Sequence, residues 1–218
     1  MDFSAKKAVL FDLDGTLIDT LADITASVNH TMECLGYPQC TLEQVRSYIG
    51  NPAPMLLRSA MPQGASDDDV SKALSIHIPF YEAHSMEQTA CFPGAQEFCR
   101  YLHERGVKIG LITNKVQPTS EVMMSHYFGG IPFDLIWGND GKRKTKPDPE
   151  SGALACVTLG VKPSDVLFVG DGDTDMAFAT KCGFTACGVS WGYRSPDVLR
   201  EYGADLIVDS FAELQAMF

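Results

Sequence analysis

Two aspartates follow the first apolar run of the sequence at a spacing that suits phosphate chemistry. Asp12 and Asp14 lie in the string DLDGTLID, at the end of a short apolar run near the N-terminus. Two carboxylates two residues apart at a strand end can face one ligand, and Gly15 lets the backbone turn sharply beside them. The alternative is a strand followed by an ordinary Asp-Gly turn. The whole string after an apolar run favours a ligand site over that turn.

Two further polar segments lie after later apolar runs. Thr113, Asn114 and Lys115 follow the run VKIGLI, and a hydroxyl with backbone N–H groups at a helix start suits phosphate oxygens. Thr113 alone would more often be a helix cap or a loop residue. Lys146 precedes Pro147, which favours extended backbone at that lysine. Lys146 is therefore the candidate for a fixed positive charge.

The last polar segment, VGDGDTD, is rich in aspartate. Asp171 stands at the predicted strand end and is the preferred metal ligand, with Asp175 as the second choice. Asp173 is equally well explained as the N-cap of a helix that starts near Thr174. Gathering these carboxylates with Asp12 and Asp14 costs roughly 1 kcal/mol per charge pair at about 4 Å in water, and about 4 kcal/mol at an effective dielectric of 20. A divalent cation resolves the repulsion, and an oxygen ligand set indicates magnesium over zinc.

The elements that must position these residues alternate between apolar β-rich runs and helical patterns. This alternation predicts an α/β fold with a Rossmann-like parallel sheet and helices on both faces. The predicted strands are Ala8–Asp12, Val107–Thr113, Phe133–Trp137, Val166–Gly170, Thr185–Val189 and Asp205–Val208. The predicted helices are Gly94–Glu104, Pro118–Tyr127, Glu150–Leu159, Thr174–Cys182 and a last turn from Phe211. Ligands bind at the carboxyl ends of the strands in such sheets, so the polar segments are expected to meet there.

The stretch from Leu17 to Cys91 shows no convincing strand and keeps helical patterns instead. The first helical stripe consists of Leu21, Ile24, Val28, Met32 and Leu35. Later helical patterns span Leu42–Tyr48, Pro54–Ala60 and Asp68–His84. These patterns predict a helical insertion after the first strand. The resulting division is a core of residues 1–16 and 92–218 and a helical cap domain of residues 17–91. A chain of 218 residues suits one core with a modest inserted domain.

Composition disfavours several classes of protein. The formal net charge of −11 argues against nucleic acid or an anionic membrane as a partner. The seven cysteines contain no CxxC pair, which argues against a disulfide framework and a zinc site. The N-terminal run meets aspartates at once, so it resembles a strand and not a signal peptide, and no stretch approaches the ~20 apolar residues of a membrane span. We expect a cytoplasmic monomer or homodimer that binds a small-molecule phosphate ester.

The four polar segments together resemble the haloacid dehalogenase-like superfamily of aspartate-nucleophile phosphatases. DLDGTLID, the TN pair, KPDP and GDGDTD occur in the order of that family and at about its separations, and the resemblance covers essentially the whole chain. The helical insertion resembles the small mobile cap of the family, which closes over the site and selects the substrate. The resemblance implies a magnesium-dependent phosphatase.

The resemblance also implies a role for each matching residue. Asp12 is expected to attack phosphorus and form an aspartyl-phosphate, while Asp14 protonates the leaving oxygen and then takes a proton from water. Magnesium is expected on Asp12, Asp171 and the main-chain carbonyl of Asp14. The residues expected to hold the transferring phosphoryl group are Thr113, Asn114 and Lys146.

Within the family, the sequence looks most like the phosphoglycolate phosphatases. The segments that carry this likeness are Tyr48-Ile49-Gly50-Asn51, the TNK string at 113–115 and Gly192-Tyr193. The departures are Pro52, where a further glycine is expected, and Ser151-Gly152. Gly50 and Asn51 are expected to reach from the cap to the non-phosphate part of the substrate, or else to form a plain turn. Other cap residues that could contact a substrate carboxylate, but that more often have solvated or packing roles, are Arg46, Arg58, His77, Tyr81 and His84.

Several alternatives remain open from the residues alone. The substrate could be another small phosphate, such as a sugar phosphate or pyrophosphate. A sugar-phosphate mutase of the β-phosphoglucomutase type would pass the aspartyl-phosphate to a second hydroxyl, and only the likeness of the cap weighs against it. Carbon–halogen and carbon–phosphorus cleavage are disfavoured, because those relatives lack an aspartate at the position of Asp14. A non-catalytic binding protein would have little reason to keep all these groups together.

Overall fold

A six-stranded parallel sheet forms the centre of the computed structural model, which describes residues 1–218. The strands in chain order are β1 (Ala8–Phe11), β2 (Ile18–Asp19), β3 (Ala90–Cys91), β4 (Lys108–Val116), β5 (Leu135–Asn139), β6 (Val166–Gly170), β7 (Thr185–Val189) and β8 (Leu206–Val208). The order across the large sheet is β5-β4-β1-β6-β7-β8, with every pair parallel. The predicted α/β fold is therefore confirmed, and β1 lies at its centre.

Ten α-helices surround and extend this sheet. They are α1 (Leu21–Cys34), α2 (Leu42–Tyr48), α3 (Ala53–Ala60), α4 (Asp67–His84), α5 (Ala95–Glu104), α6 (Gln117–Phe128), α7 (Glu150–Leu159), α8 (Asp173–Cys182), α9 (Pro196–Glu201) and α10 (Phe211–Gln215). A short 3₁₀ turn spans Pro163–Asp165. No helix combines the length and the apolar character that crossing a membrane requires.

The strand β1 shows why helices cover both faces of the sheet. Its side chains alternate between two buried clusters, with Val9 and Phe11 in one and Ala8 and Leu10 in the other. Successive side chains of a strand point to opposite faces, so a strand that is apolar throughout needs a cover on each side. The first cluster includes apolar residues of α5, α6 and α10, and the second includes those of α7, α8 and α9.

The helices α1 to α4 form the insertion, and their buried side chains join the first cluster. The side chains of Leu21, Ile24, Val28 and Met32 make the buried stripe of α1, as their spacing indicates. Local capping starts two of these helices: Thr41 and Ser66 each form a capping box, with Gln44 and Asp69 three residues later. The division of the chain into core and cap at residues 16 and 92 stays a prediction.

Two short strands correct the expectation that residues 17–91 lack β-structure. The strands β2 and β3 pair antiparallel, with Ile18 opposite Cys91 and Asp19 opposite Ala90. Each has two residues, which is too short for any periodic pattern. This pair brings together the two passages of chain that connect the inserted helices to the sheet.

Other boundaries differ from the sequence prediction by a few residues. The strand β4 continues past Thr113 to Val116, and its pairing with β5 is irregular between Ile112 and Val116. The residues at this end of β4 are polar, so a pattern based on apolar side chains does not predict that the strand continues there. The strand β5 starts at Leu135 instead of Phe133, and the helix α9 was not predicted.

Candidate active site

The carboxyl ends of three neighbouring strands bring most of the predicted site residues to one edge of the sheet. Asp12 follows β1, Thr113 and Asn114 lie near the end of β4, and Asp171 follows β6. Each of these four side chains belongs to a residue that is at most 6% exposed. The central position of β1 between β4 and β6 places Asp12 in the middle of the group. The arrangement matches the rule that ligands bind at this edge of open parallel sheets.

Lys146 reaches the same place from the loop before α7. Its Nζ lies 2.8 Å from Oδ1 of Asp12 and 2.7 Å from Oδ1 of Asp175, and the side chain is buried. Burial alone would lower the pKa of Lys146, but the two carboxylates outweigh it, so the pKa lies above its ordinary value. Lys146 therefore supplies a permanent positive charge beside Asp12, as the sequence predicts.

Asn114 holds the backbone of that lysine. Its Oδ1 accepts a 2.8 Å hydrogen bond from the N–H of Lys146, and its Nδ2 donates to the carbonyl of Lys146 at 3.0 Å. The same Nδ2 donates to the carbonyl of Gly50 at 2.9 Å. The side chain of Asn114 is thus engaged with protein atoms on both sides. A contact between Asn114 and a phosphate would have to come from its backbone.

Three buried carboxylates lie close enough to share a cation. Oxygen atoms of Asp12, Asp171 and Asp175 all lie within 4.8 Å of one another. Burial raises the pKa of Asp171 well above its ordinary value, and the charges of Asp175 and Asp12 raise it further. Burial and Asp12 also raise the pKa of Asp175, to about 6. Lys146 offsets the repulsion at Asp12 and Asp175, whereas no lysine or arginine forms an ion pair with Asp171.

The hydrogen bonds in the triad show which oxygens are free to bind a metal. Asp175 is engaged, since its Oδ1 contacts Lys146 and its Oδ2 accepts a 2.9 Å hydrogen bond from the N–H of Gly172. Oδ1 of Asp12 is buried without an aligned hydrogen bond, although Lys146 Nζ is near. Buried oxygen donors, one of them without a hydrogen bond, fit a hard divalent cation. Both oxygens of Asp171 accept from neutral groups only. Asp12 and Asp171 are therefore the better candidates for ligands, and Asp175 pairs with Lys146.

Two glycines leave room for the side chain of Asp171 next to the backbone at residues 15 and 192. A Cβ on Gly15 would lie 2.3 Å from Oδ2 of Asp171, and Gly15 has a φ of +80°. A Cβ on Gly192 would lie 2.1 Å from Cβ of Asp171. Oδ2 of Asp171 also accepts a 2.7 Å hydrogen bond from the N–H of Tyr193. Close backbone approach from two sides fixes this carboxylate.

Together with Asp12, Asp14 lines a cleft between the sheet and the inserted helices. Its Oδ1 and Oδ2 lie 2.9 Å and 3.1 Å from Nζ of Lys115, and Thr20 donates to Oδ1 at 2.7 Å. The side chain of Asp14 is therefore held at the cleft by an ammonium and a hydroxyl, and any contact with a cation in the triad would come from its main chain. The TNK string contains Lys115, but no spacing along the chain predicts its contact with Asp14.

The cleft spans about 690 Å³, including the part that opens to solvent, and both predicted cap-loop residues, Gly50 and Asn51, line it. Of the other five cap candidates, His77 and Tyr81 line the cleft. The remaining three pair instead with acidic neighbours outside the cleft: Arg46 with Glu43, Arg58 with Asp67, and His84 with Glu87. The sequence offers only the residue types of these five side chains, and the orientation of each helix decides which of them line the cleft.

Arg194, in the loop after β7, contacts α2 and the residue that follows it, and no pattern in the sequence predicts this contact. Its guanidinium donates to the carbonyls of Arg46, Ser47 and Ile49 at 2.8, 3.0 and 2.7 Å. Its Nε lies 3.2 Å from Oδ1 of Asp173. Asp173 is thus the partner of Arg194 and not the N-cap of α8, which is Gly172. No spacing rule links residue 194 to residues 46–49.

Comparison with known proteins identifies the family. The model of the family described as haloacid dehalogenase-like hydrolase matches residues 9–189. A phosphoglycolate phosphatase of Pseudomonas fluorescens is 35% identical over 213 residues, which cover 95% of this chain and 78% of that protein. A phosphoglycolate phosphatase of Vibrio parahaemolyticus is 30% identical over 215 residues, which cover 95% of this chain and 94% of that protein.

Solved structures agree with the sequence relatives. A structure from Lactobacillus delbrueckii subsp. bulgaricus superposes with a TM-score of 0.90 at 27% identity, covering 100% of this chain and 99% of the other. A haloacid dehalogenase-like family protein from Streptococcus pneumoniae superposes with a TM-score of 0.85 at 24% identity, covering 98% of each chain, and shows the shared fold. The family predicted from the four polar segments is confirmed: the chain belongs to the haloacid dehalogenase-like hydrolases and is a phosphatase.

Proposed function

We propose that this phosphatase hydrolyses small phosphate monoesters with the help of magnesium, through a phosphorylated Asp12, and that 2-phosphoglycolate is its preferred substrate. One observation carries the proposal. Asp12 lies buried against the ammonium of Lys146, while Asp14 faces the cleft from two residues further along the chain. A nucleophile and a proton carrier are thus presented to the same space.

Asp12 performs the first chemical step in this proposal. A carboxylate oxygen of Asp12 forms a bond to phosphorus as the bond from phosphorus to the leaving oxygen breaks. Asp14 gives its proton to that oxygen, so the leaving group departs as an alcohol. Lys146 and the hydroxyl of Thr113 stabilise the negative charge on the transferring group.

Water completes the cycle in the second step. Asp14, now ionised, takes a proton from a water molecule, whose oxygen attacks the phosphorus of the phosphorylated Asp12. The bond between phosphorus and the Asp12 oxygen breaks, which regenerates the carboxylate and releases inorganic phosphate. One residue thus serves as acid in the first step and as base in the second.

Asp12, Asp171 and the main-chain carbonyl of Asp14 would hold the magnesium ion. The support is the buried triad, whose oxygens lie within 4.8 Å of one another, and the oxygen of Asp12 that lacks an aligned hydrogen bond. When bound, the ion neutralises the carboxylates and the phosphate, so the anionic substrate can approach Asp12. Asp175 would contribute by holding Lys146 in place.

The substrate preference draws on the relatives and on the cleft. Relatives from Pseudomonas and Vibrio that match most of this chain are named phosphoglycolate phosphatases. The cleft beyond Asp14 has apolar walls that include Ile24, Ile49 and Ile78, and Gly50 and Asn51 reach it from the cap. Such walls suit a short leaving group with few hydroxyls better than a sugar.

The test is phosphate release from a panel of substrates, with magnesium and again with a chelator. The panel contains 2-phosphoglycolate, several sugar phosphates, nucleoside monophosphates and pyrophosphate. We expect magnesium-dependent turnover that favours 2-phosphoglycolate, and intact-mass measurement of rapidly quenched enzyme should show one phosphoryl group, absent in Asp12→Asn. Preference for another ester would refute the substrate assignment. Transfer of the group to an added sugar phosphate would indicate a mutase.

A further inference from the structure

We propose that Lys115 and Tyr81 together bind a carboxylate on the leaving group of the substrate, directly beside Asp14. This inference rests on the proposed function, because it assigns the part of the cleft that faces the leaving oxygen. It names a specificity-determining pair, one residue from the core and one from the cap. Neither the motifs nor the spacing of the sequence assigned a role to Lys115.

The first support is the position and charge of Lys115. It is the only lysine or arginine that lines the cleft, and its side chain is 6% exposed. Its Nζ contacts both carboxylate oxygens of Asp14 and lies 2.7 Å from the hydroxyl of Tyr81. A buried ammonium keeps its charge only where anions or polar groups surround it. Lys115 therefore supplies the positive charge of a cleft whose lining mixes apolar residues with polar and acidic ones.

The second support is the distance from the reacting bond. Asp14 must lie against the leaving oxygen to protonate it, and Lys115 touches Asp14 at 2.9 Å. A carboxylate separated from the leaving oxygen by a single carbon would fall within the reach of Nζ of Lys115. A longer acidic chain would carry its charge past Lys115 towards the apolar walls. The geometry thus selects short phosphorylated hydroxy acids.

The third support is the unused proton of Tyr81. The hydroxyl of Tyr81 accepts a hydrogen bond from Lys115, and no protein atom accepts the hydroxyl proton of Tyr81. Burial raises the pKa of Tyr81 well above its ordinary value, and the nearby charge of Asp14 adds to this effect. The hydroxyl of Tyr81 therefore keeps its proton. The hydroxyl can donate to one oxygen of a carboxylate while Lys115 pairs with the other. Charge-assisted contacts of this kind are among the strong hydrogen bonds in proteins.

The two residues also come from opposite sides of the cleft. Tyr81 lies on α4 of the inserted helices, and Lys115 lies near the end of β4 in the sheet. Their contact, with Nζ of Lys115 4.5 Å from the centre of the Tyr81 ring, exists only when the two sides meet. A substrate carboxylate held between them would therefore favour the joined arrangement.

A simpler role for Lys115 would be to position Asp14 and nothing more. That role predicts an equal loss of activity on every ester when Lys115 is changed. Carboxylate recognition predicts a loss that depends on the leaving group. The two roles are separated by comparing 2-phosphoglycolate with 2-hydroxyethyl phosphate, an ester of similar size in which a neutral CH₂OH group replaces the carboxylate.

The experiment measures kcat/KM on both esters, with magnesium, for the unmodified protein and four variants. We expect the protein to prefer 2-phosphoglycolate by about 10- to 100-fold, which is the contribution of a charged hydrogen-bonded contact. Lys115→Met should reduce the preference to less than about threefold, and Lys115→Arg should keep most of it. Tyr81→Phe should remove a smaller part. Lys72→Met, on an exposed position of α4, is the matched control and should keep the full preference.

A second readout does not depend on turnover. Glycolate, the carboxylate-bearing product, should inhibit the hydrolysis of 2-hydroxyethyl phosphate by the unmodified protein at least tenfold more strongly than it inhibits Lys115→Met. An equal loss on both esters in Lys115→Met, with unchanged inhibition by glycolate, would overturn the inference and leave the proposed hydrolysis standing. If the unmodified protein hydrolyses neither ester, the proposed function fails, and the inference fails with it.

Discussion

The guanidinium of Arg194 donates a 2.7 Å hydrogen bond to the carbonyl of Ile49, which joins a loop of the core to the residue that follows α2. The last carbonyls of a helix lack partners within the helix, and a cation there is favourable. Arg194 satisfies three carbonyls at this end. The adjacent Gly50 accepts from Asn114, so the same loop is held from two sides.

We therefore expect Arg194→Ala to weaken the contact between its loop and the end of α2. Its three hydrogen bonds to carbonyls should together contribute a few kcal/mol, at roughly 1 kcal/mol each. The expected result is an increase of KM for 2-phosphoglycolate of about tenfold or more. The KM of Arg194→Lys should lie between those of the unmodified protein and Arg194→Ala. Arg200→Ala, at an exposed position, serves as the control in the same steady-state assay. Unchanged KM in Arg194→Ala would show that these contacts do not govern substrate binding.

The position of Asp14 leads to a prediction about proton transfer. Asp14→Asn removes the proton carrier and keeps the size of the side chain, so kcat should fall by about 10²- to 10⁴-fold. In single-turnover experiments, Asp14→Asn should slow the phosphorylation of Asp12 less with 4-nitrophenyl phosphate than with 2-phosphoglycolate. The leaving oxygen of 4-nitrophenyl phosphate needs little protonation. Asp68→Asn, on the exposed first turn of α4, should behave like the unmodified protein. An equal defect on both esters would argue against acid catalysis by Asp14.

The buried triad predicts an opposite effect of one substitution with and without metal. Without magnesium, Asp171→Asn should raise the thermal unfolding temperature at pH 7.5, because it removes one charge from a set of mutually repelling buried carboxylates. Saturating magnesium should stabilise the unmodified protein by about 2.7 kcal/mol at a hundredfold excess over Kd. Magnesium should not stabilise the Asp171→Asn variant. Differential scanning calorimetry with chelator and with magnesium measures both effects, and a full magnesium shift in the variant would exclude Asp171 as a ligand.

His77 predicts a dependence of stability on pH. Burial lowers the pKa of His77 to about 4 from an ordinary value of 6.5, and a nearby Lys115 adds to the effect. Between these values the unfolded chain binds a proton that the folded protein does not bind. The contribution of His77 to stability is therefore complete above about pH 6.5 and falls by roughly 3 kcal/mol as the pH drops to about 4.

The test compares urea unfolding of His77→Asn and the unmodified protein at pH values from 7 to 4. Asparagine can still accept a hydrogen bond from Ser27, whose Oγ lies 2.8 Å from Nδ1 of His77. The free energy of unfolding of the variant should decline less steeply over this range. His103→Asn, at an exposed position of α5, should follow the unmodified protein. If the free energy of unfolding fell equally with pH in His77→Asn and in the unmodified protein, His77 would not be the source of the pH dependence.

The sequence was informative about the core because its chemistry follows from local patterns. An apolar run predicts a strand, polar residues at its end predict a site, and parallel strands bring their carboxyl ends to one edge. The sequence therefore predicts that Asp12, Thr113 and Asp171 meet. In the structure Asp12 lies near Asp171 and lines the same cleft as Thr113. The short strands β2 and β3 and the end of β4 escaped the same logic, because two residues or a polar stretch carry no periodic signal.

The cap shows the limit of this reasoning. Arg58 and His84 are candidates by charge, yet they pair with acidic residues that lie nine and three positions further along the chain. Tyr81 had no stronger signal than these two, and it lines the cleft. Which face of a helix meets the core depends on the packing of all four inserted helices, and a single residue type does not encode that orientation.

The sequence by itself determined the family, the fold class and the residues at the carboxyl ends of the strands, because local periodicity and short strings fix them. Only the tertiary structure decided that Lys115 contacts Asp14 across 101 residues of sequence and that Arg194 holds carbonyls 145 to 148 residues away. These contacts join elements whose relative orientation arises from packing between sheet and inserted helices. No spacing along the chain records that orientation, so the pairs that link core to cap emerge only in the folded protein.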